Sequence, residues 1–351
     1  MNGKKFFLSA IAISLSIMIL LALPTLYIDP FFHYRAPTEG VSYVLDSERY
    51  QNDGILRHFE YDAVIIGTSM TQNFKTSEAD ALFGTNSVKV PLAGGYFREI
   101  GDRLRSGFDS GHEIKQVILS LDMMSVIADK DAVSYDDYPE YLYDDNIFND
   151  VRYLFNKTVL VDFTVDNIRR TLAGRESESF DEYSSWGHHD VFGRERVLAS
   201  YDRPEQVSEP KQLTEGQLSA IRENLTQNII SLVREHPETT FYCFIPPYSI
   251  LKIDSWYRTN TQDYCYGIYE ETARMLLAEE NVRVFCFYDD TELVCDLDSY
   301  RDTMHYSGEV NTYMLECMAR GEHELSADTL DAYFDSLREY YGAYDFDAIF
   351  G

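Results

Sequence analysis

The stretch Tyr61-Asp62-Ala63-Val64-Ile65-Ile66-Gly67-Thr68-Ser69 decides the fold. Its apolar, β-branched centre is too short for a helix and ends at a glycine, the pattern of a buried strand entering a tight turn. Outward from it the same alternation recurs. A polar turn and a helical stretch over about 76–84 lead to a second strand at Ser87–Pro91, which breaks at Gly94-Gly95. Residues 96–110 are helical in pattern, and Lys115–Leu121 is a third strand. Past residue 212 come a helix at about 213–236, a strand Thr240–Ile245 ended by Pro246-Pro247, a helix near 260–279 and a strand Val282–Phe287. Helical runs at about 307–320 and 326–341 close the chain. Strands alternating with helices at this spacing predict parallel βαβ units, an α/β doubly wound sheet with helices on both faces. Between about 127 and 212 the alternation lapses into acidic, tyrosine-rich stretches such as Tyr135–Asp145 and Glu176–Asp190, which read as an insertion or cap over the sheet.

Composition narrows the classes. The 351 residues carry 30 Lys and Arg against 59 Asp and Glu, a net charge of −29, which argues against a nucleic-acid partner because phosphate contacts need clustered cations. Five scattered cysteines (Cys243, Cys265, Cys286, Cys295, Cys317) show no CxxC and no paired Cys/His spacing, so neither a disulfide scaffold nor a zinc ribbon is expected. At the N-terminus, residues 1–5 hold Lys4 and Lys5, and no charge follows from Phe6 to Ile28. As a helix that run spans about 34 Å, enough for a hydrocarbon core of about 30 Å. It is longer than the apolar core of a secretory signal and lacks a small-x-small cleavage site. The expectation is a transmembrane helix at 6–28, with a cleaved signal as the plain alternative, a connector at 29–57, an α/β domain at 58–322 and a C-terminal helical segment at 323–351. The lysines place the N-terminus in the cytoplasm and the main domain outside.

Three short blocks carry chemistry. Ser69 follows the first strand through Gly67-Thr68, at the carboxyl edge of the sheet where open α/β folds bind ligands; the plain alternative is a helix cap. Asp302 stands three residues before His305, near enough for its carboxylate to orient the imidazole as a general base; the plain alternative is a solvent-exposed pair. Asp109 and His112 share that spacing but precede the third strand, at the opposite edge. Gly94, or its neighbour Gly95, follows the second strand, where a backbone N–H can meet a developing oxyanion or simply serve a turn. Alternating acids at Asp296, Asp298 and Asp302 fail as a calcium loop because Arg301 stands where glycine is needed. His188, His189 and Asp190 are unsuited to converge on one metal, although Trp186 beside them suits a sugar face. No metal and no cofactor are expected.

In order and spacing these blocks resemble the SGNH (GDSL-like) hydrolase superfamily. With the N-terminal anchor, the chain looks most like the membrane-anchored branch that includes the D-alanyl transfer protein of teichoic acid modification and the alginate acetylation proteins. The resemblance implies a three-layer α/β/α domain with Ser69 as nucleophile, His305 as base and Asp302 as its orienting carboxylate. The N–H groups of Ser69 and Gly94 (or Gly95) would form the oxyanion hole. It further implies an extracytoplasmic serine acyl-esterase or O-acyltransferase acting on a cell-envelope or secreted polysaccharide, partnered by a membrane-bound O-acyltransferase. One block departs: where relatives carry Gly-x-Asn after the third strand, this chain has Leu121-Asp122-Met123. An ionised Asp122 cannot donate to an oxyanion, which leaves Asn73 or Ser125 as substitutes, or a non-catalytic glycan-binding or assembly protein that keeps the fold.

Overall fold

Five strands pair in parallel in the order β2-β1-β3-β4-β5: β1 Ala63–Gly67, β2 Ser87–Pro91, β3 Gln116–Ser120, β4 Thr240–Ile245 and β5 Val282–Cys286. The computed structural model describes residues 3–135, 138–144, 146–187 and 189–351. β1, β2 and β3 are buried at every position; β1 and the centre of β3 read as continuous apolar runs, while β2 carries Lys89 inward. The order reverses between β1 and β3. With right-handed crossovers, that reversal puts the helix after β1 on one face and the helix after β2 on the other. Two packed groups of helices follow from it. One joins Thr76–Phe83 to Gly308–Arg320; the other joins Phe97–Asp109, Met123–Ile127, Glu215–Leu225 and Gln262–Leu276. The reversal also opens a crevice at the carboxyl ends of β1 and β3, where such sheets take ligands.

The chain divides into two compact units, one of residues 60–136 and 184–351, which holds the sheet, and one of residues 1–59 and 137–183. In the second, helix α1 (Gly3–Ile28) has a mean hydropathy of 2.6 over its best 18 residues and is long and apolar enough to cross a membrane. Directly after it the chain knots on Asp29, 1% exposed, whose carboxylate accepts from the N–H groups of His33 (3.1 Å), Tyr34 (2.8 Å) and Arg35 (3.1 Å) and from the Tyr153 hydroxyl (2.8 Å). Asp29 itself takes a left-handed φ of 48°, which a short polar side chain tolerates better than most.

A helix at Glu48–His58 lies inside what the sequence presents as a plain connector. It escapes the periodicity test because its buried residues are Gln51, Asn52, Asp53 and Gly54 as well as Ile55 and Leu56. Gln51 satisfies itself by donating to the carbonyls of Pro30 (3.0 Å) and Val44 (2.8 Å). A β-carbon at Gly54 would collide with the backbone of Phe31 and Phe32. All five cysteines are free thiols, and four are buried.

Candidate active site

The Ser69 turn is built by close approach. β1 ends at Gly67, where a β-carbon would run into the Ser120 hydroxyl and lie 2.8 Å from Thr71 Cγ2, so only glycine lets β1 and β3 sit this near. The Thr68 N–H donates to Ser120 Oγ (3.2 Å), and one tight helical turn follows at Ser69–Thr71. Buried Lys89 on β2 donates to the carbonyls of Gln72 (2.5 Å) and Phe74 (2.9 Å), clamping the loop on either side of Asn73. Tyr306 and Asn311, which follow His305 in sequence, donate to the Met70 carbonyl at 3.5 and 3.2 Å. The serine turn and the histidine segment are thereby tied together.

Across that tie, Ser69 Oγ lies 3.0 Å from His305 Nε2, and His305 Nδ1 lies 2.8 Å from Asp302 Oδ2. The other Asp302 oxygen accepts from the N–H groups of Met304 (2.8 Å) and His305 (2.9 Å). Burial alone would raise the Asp302 carboxyl, but its hydrogen bond to His305, the His305 charge and the two backbone donors outweigh that and hold it well below the usual carboxylate range. Arg301 Nε adds a cation 3.4 Å away, and its guanidinium pairs with Asp190 while lying 4.6 Å over the Trp186 ring. Trp186 meets the His305 imidazole edge-on at 5.7 Å. Ser69, Met70, Asn73, Trp186, Tyr306 and Asn311 line a narrow crevice of about 130 Å³.

Three N–H donors among the described residues of the loops after β1 and β2 are unpartnered. Among the described residues, neither the Ser69 N–H nor the Gly94 N–H has a hydrogen-bond partner. Gly94 takes a φ of 65°, where a β-carbon would meet the Tyr135 hydroxyl at 4.0 Å, whereas the Gly95 N–H is occupied by the Leu92 carbonyl at 2.7 Å. The third is Asn73: its Oδ1 accepts from Ser185 Oγ (3.3 Å) and from the N–H groups of Trp186 (3.1 Å) and Gly187 (3.0 Å), while its buried Nδ2 has no partner. Ser125 is committed elsewhere, donating to the Gly95 carbonyl at 2.7 Å.

Asp122 stands at the first turn after β3, 7% exposed, accepting from Ser120 Oγ (2.7 Å) and the Tyr248 hydroxyl (3.5 Å). Burial raises its carboxyl above the ordinary value despite those hydroxyls. The folded state then holds the proton more tightly than the unfolded chain, and stability falls as pH rises above the unfolded carboxylate value of about 3.9. Asp122→Asn is therefore expected to melt higher than the parent at pH 7, with the difference shrinking toward pH 4 in paired thermal scans.

His112, the other histidine with an upstream aspartate, packs on the Tyr61 ring at 4.5 Å, before β3. His188 lies outside the described residues. Among those described, no three His, Cys, Asp or Glu side chains gather at metal-binding distances.

No family model matches the chain. No curated protein matches it either. Among solved structures, it is similar to one described as "a putative platelet activating factor from Streptococcus pneumonia", with a TM-score of 0.39 and 11% identity, covering 78% of this chain and 89% of that one.

Proposed function

We propose that this chain is a serine-dependent acyl-ester enzyme of SGNH type, held by α1 on the outer side of a membrane and acting on acyl groups of a cell-envelope or secreted glycan. The observation that carries the reading is the relay from Ser69 Oγ through His305 Nε2 at 3.0 Å to Asp302 at 2.8 Å. In it Ser69 attacks the acyl carbonyl and its proton passes to His305 Nε2. The oxyanion is met by the N–H groups of Ser69 and Gly94 and by Asn73 Nδ2. As the intermediate collapses, His305 returns the proton to the departing alcohol, leaving an acyl-Ser69 ester. Water or a sugar hydroxyl then gives its proton to His305 and attacks that ester, and Ser69 recovers its proton as the acyl group leaves.

The glycan acceptor and an acyl-exporting membrane-bound O-acyltransferase as partner come with the SGNH resemblance and the anchor. Incubation of the full chain with a small fluorophosphonate at neutral pH tests the chemistry. The expected result is one phosphonyl adduct by intact mass, mapped to Ser69 by peptide fragmentation. A folded sample that takes up no label overturns the catalytic reading in favour of glycan binding.

A further inference from the structure

The α1-bearing unit shows an apolar face turned outward just where α1 ends. Ile147 is 72% exposed, Phe148 86%, Val151 51% and Val161 50%. Ile147, Phe148 and Val151 follow helical spacing, so they share one side of the turn leading into the short helix Val151–Leu154. The other side of that turn is bolted to the first residues after α1. Asp150 bonds to His33 Nε2 (3.2 Å) and to the Tyr34 hydroxyl (3.0 Å), and the Tyr153 hydroxyl donates to Asp29 and accepts from the Phe31 N–H (3.2 Å). Val151–Leu154 and the π-helical turn Thr158–Thr164 both pack on α1, and the Thr25 and Thr164 hydroxyls meet at 3.3 Å. The exposed residues are thus held on elements packed against the end of α1. Two cations, Arg152 and Lys157, stand beside these apolar residues, with Asp150 turned to His33 and Tyr34.

We propose that Ile147, Phe148, Val151 and Val161 form a foot that enters the interfacial layer of the bilayer α1 spans, burying its side chains among lipid chains just below the headgroups while Arg152 and Lys157 meet lipid phosphates. The inference rests on α1 being a retained span. Two contacts, one helix and one foot, hold the orientation of this unit against the membrane where a lone helix leaves it free to swing.

Tryptophan reporters in the full chain, reconstituted into phosphatidylcholine vesicles, test it. F148W places the reporter in the foot and L15W at mid-span, each read against the parent signal of Trp186 and Trp256. F148W is expected to emit blue-shifted and to be quenched more by lipid brominated near the headgroup than near the chain ends, with the order reversed for L15W. Phe148 is exposed, so its replacement leaves the fold untouched. An F148W reporter that emits as in water beside a quenched L15W reporter overturns the foot and leaves that face to a protein partner. If neither is quenched, the span reading fails and the foot falls with it.

Discussion

Replacing Asp302 by Asn is expected to lower turnover by about 10⁴-fold with little change in KM, as exchanging the acid of such a relay for its amide does. The geometry explains why the substitution is so selective. One Asp302 oxygen is fixed by the N–H groups of Met304 and His305, which only donate. An asparagine in the same place must keep its carbonyl there, so its NH₂ group faces His305 Nδ1. That nitrogen then has to accept, the ring proton moves to Nε2, and the atom 3.0 Å from Ser69 Oγ becomes a donor where the reaction needs an acceptor. The parent carboxylate does the opposite across the working pH range. Because its folded value is depressed, its contribution to stability is complete above the unfolded carboxylate value and is lost only as pH falls through the folded one. Steady-state rates on a simple acetyl ester check the expectation; a loss below tenfold means that His305 is not the base.

The sheet was legible because its strands are short, mostly apolar and largely buried, a pattern that survives without any tertiary information. Ser87–Pro91 and Thr240–Ile245 stand where the run of β-branched and aromatic residues puts them, and each remaining strand lies within its expected stretch. Ser69, Asp302 and His305 were legible as candidates for a different reason: Ser69 follows a strand at a sheet edge, and Asp302 and His305 are close in sequence, so each half of the contact is local. What joins the halves is not local. The Met70 carbonyl receives Tyr306 and Asn311 from more than 230 positions away, and neither residue carries a motif that announces it.

The helix Glu48–His58 was hidden for the converse reason. Its inward side is amide and carboxylate, and those groups find partners only after the chain has folded around them. Gln72, Asn73 and Trp186 illustrate the same limit at the site. Trp186 appears in the sequence as a glycan-facing ring, but its indole N–H donates to Gln72 at 2.7 Å and its backbone N–H to Asn73. In the fold it therefore serves the serine loop directly.

That arrangement makes Asn73 the most informative residue outside the triad. Its Oδ1 receives two backbone N–H groups, which fixes the orientation of the amide and leaves Nδ2 as a buried donor with no partner at the crevice that Ser69 shares. An orphaned buried donor costs about 1–3 kcal/mol, which an acceptor arriving beside it recovers. In the proposed reaction an oxyanion supplies the missing acceptor, and because it exists only during turnover the donor is expected to act on kcat and not on KM. Asn73→Ala is expected to lower kcat by about 100- to 1000-fold. Alanine also releases Trp186 and Gly187, so Asn73→Asp provides the sharper measurement. Aspartate keeps an oxygen for both N–H groups but presents a second oxygen where the donor stood, which repels developing negative charge. Its kcat should fall at least as far as that of Asn73→Ala while the melting temperature stays nearer the parent's. If Asn73→Asp turns over within a few-fold of the parent, the backbone N–H groups of Ser69 and Gly94 carry the oxyanion alone, and Asn73 only holds Trp186 in place.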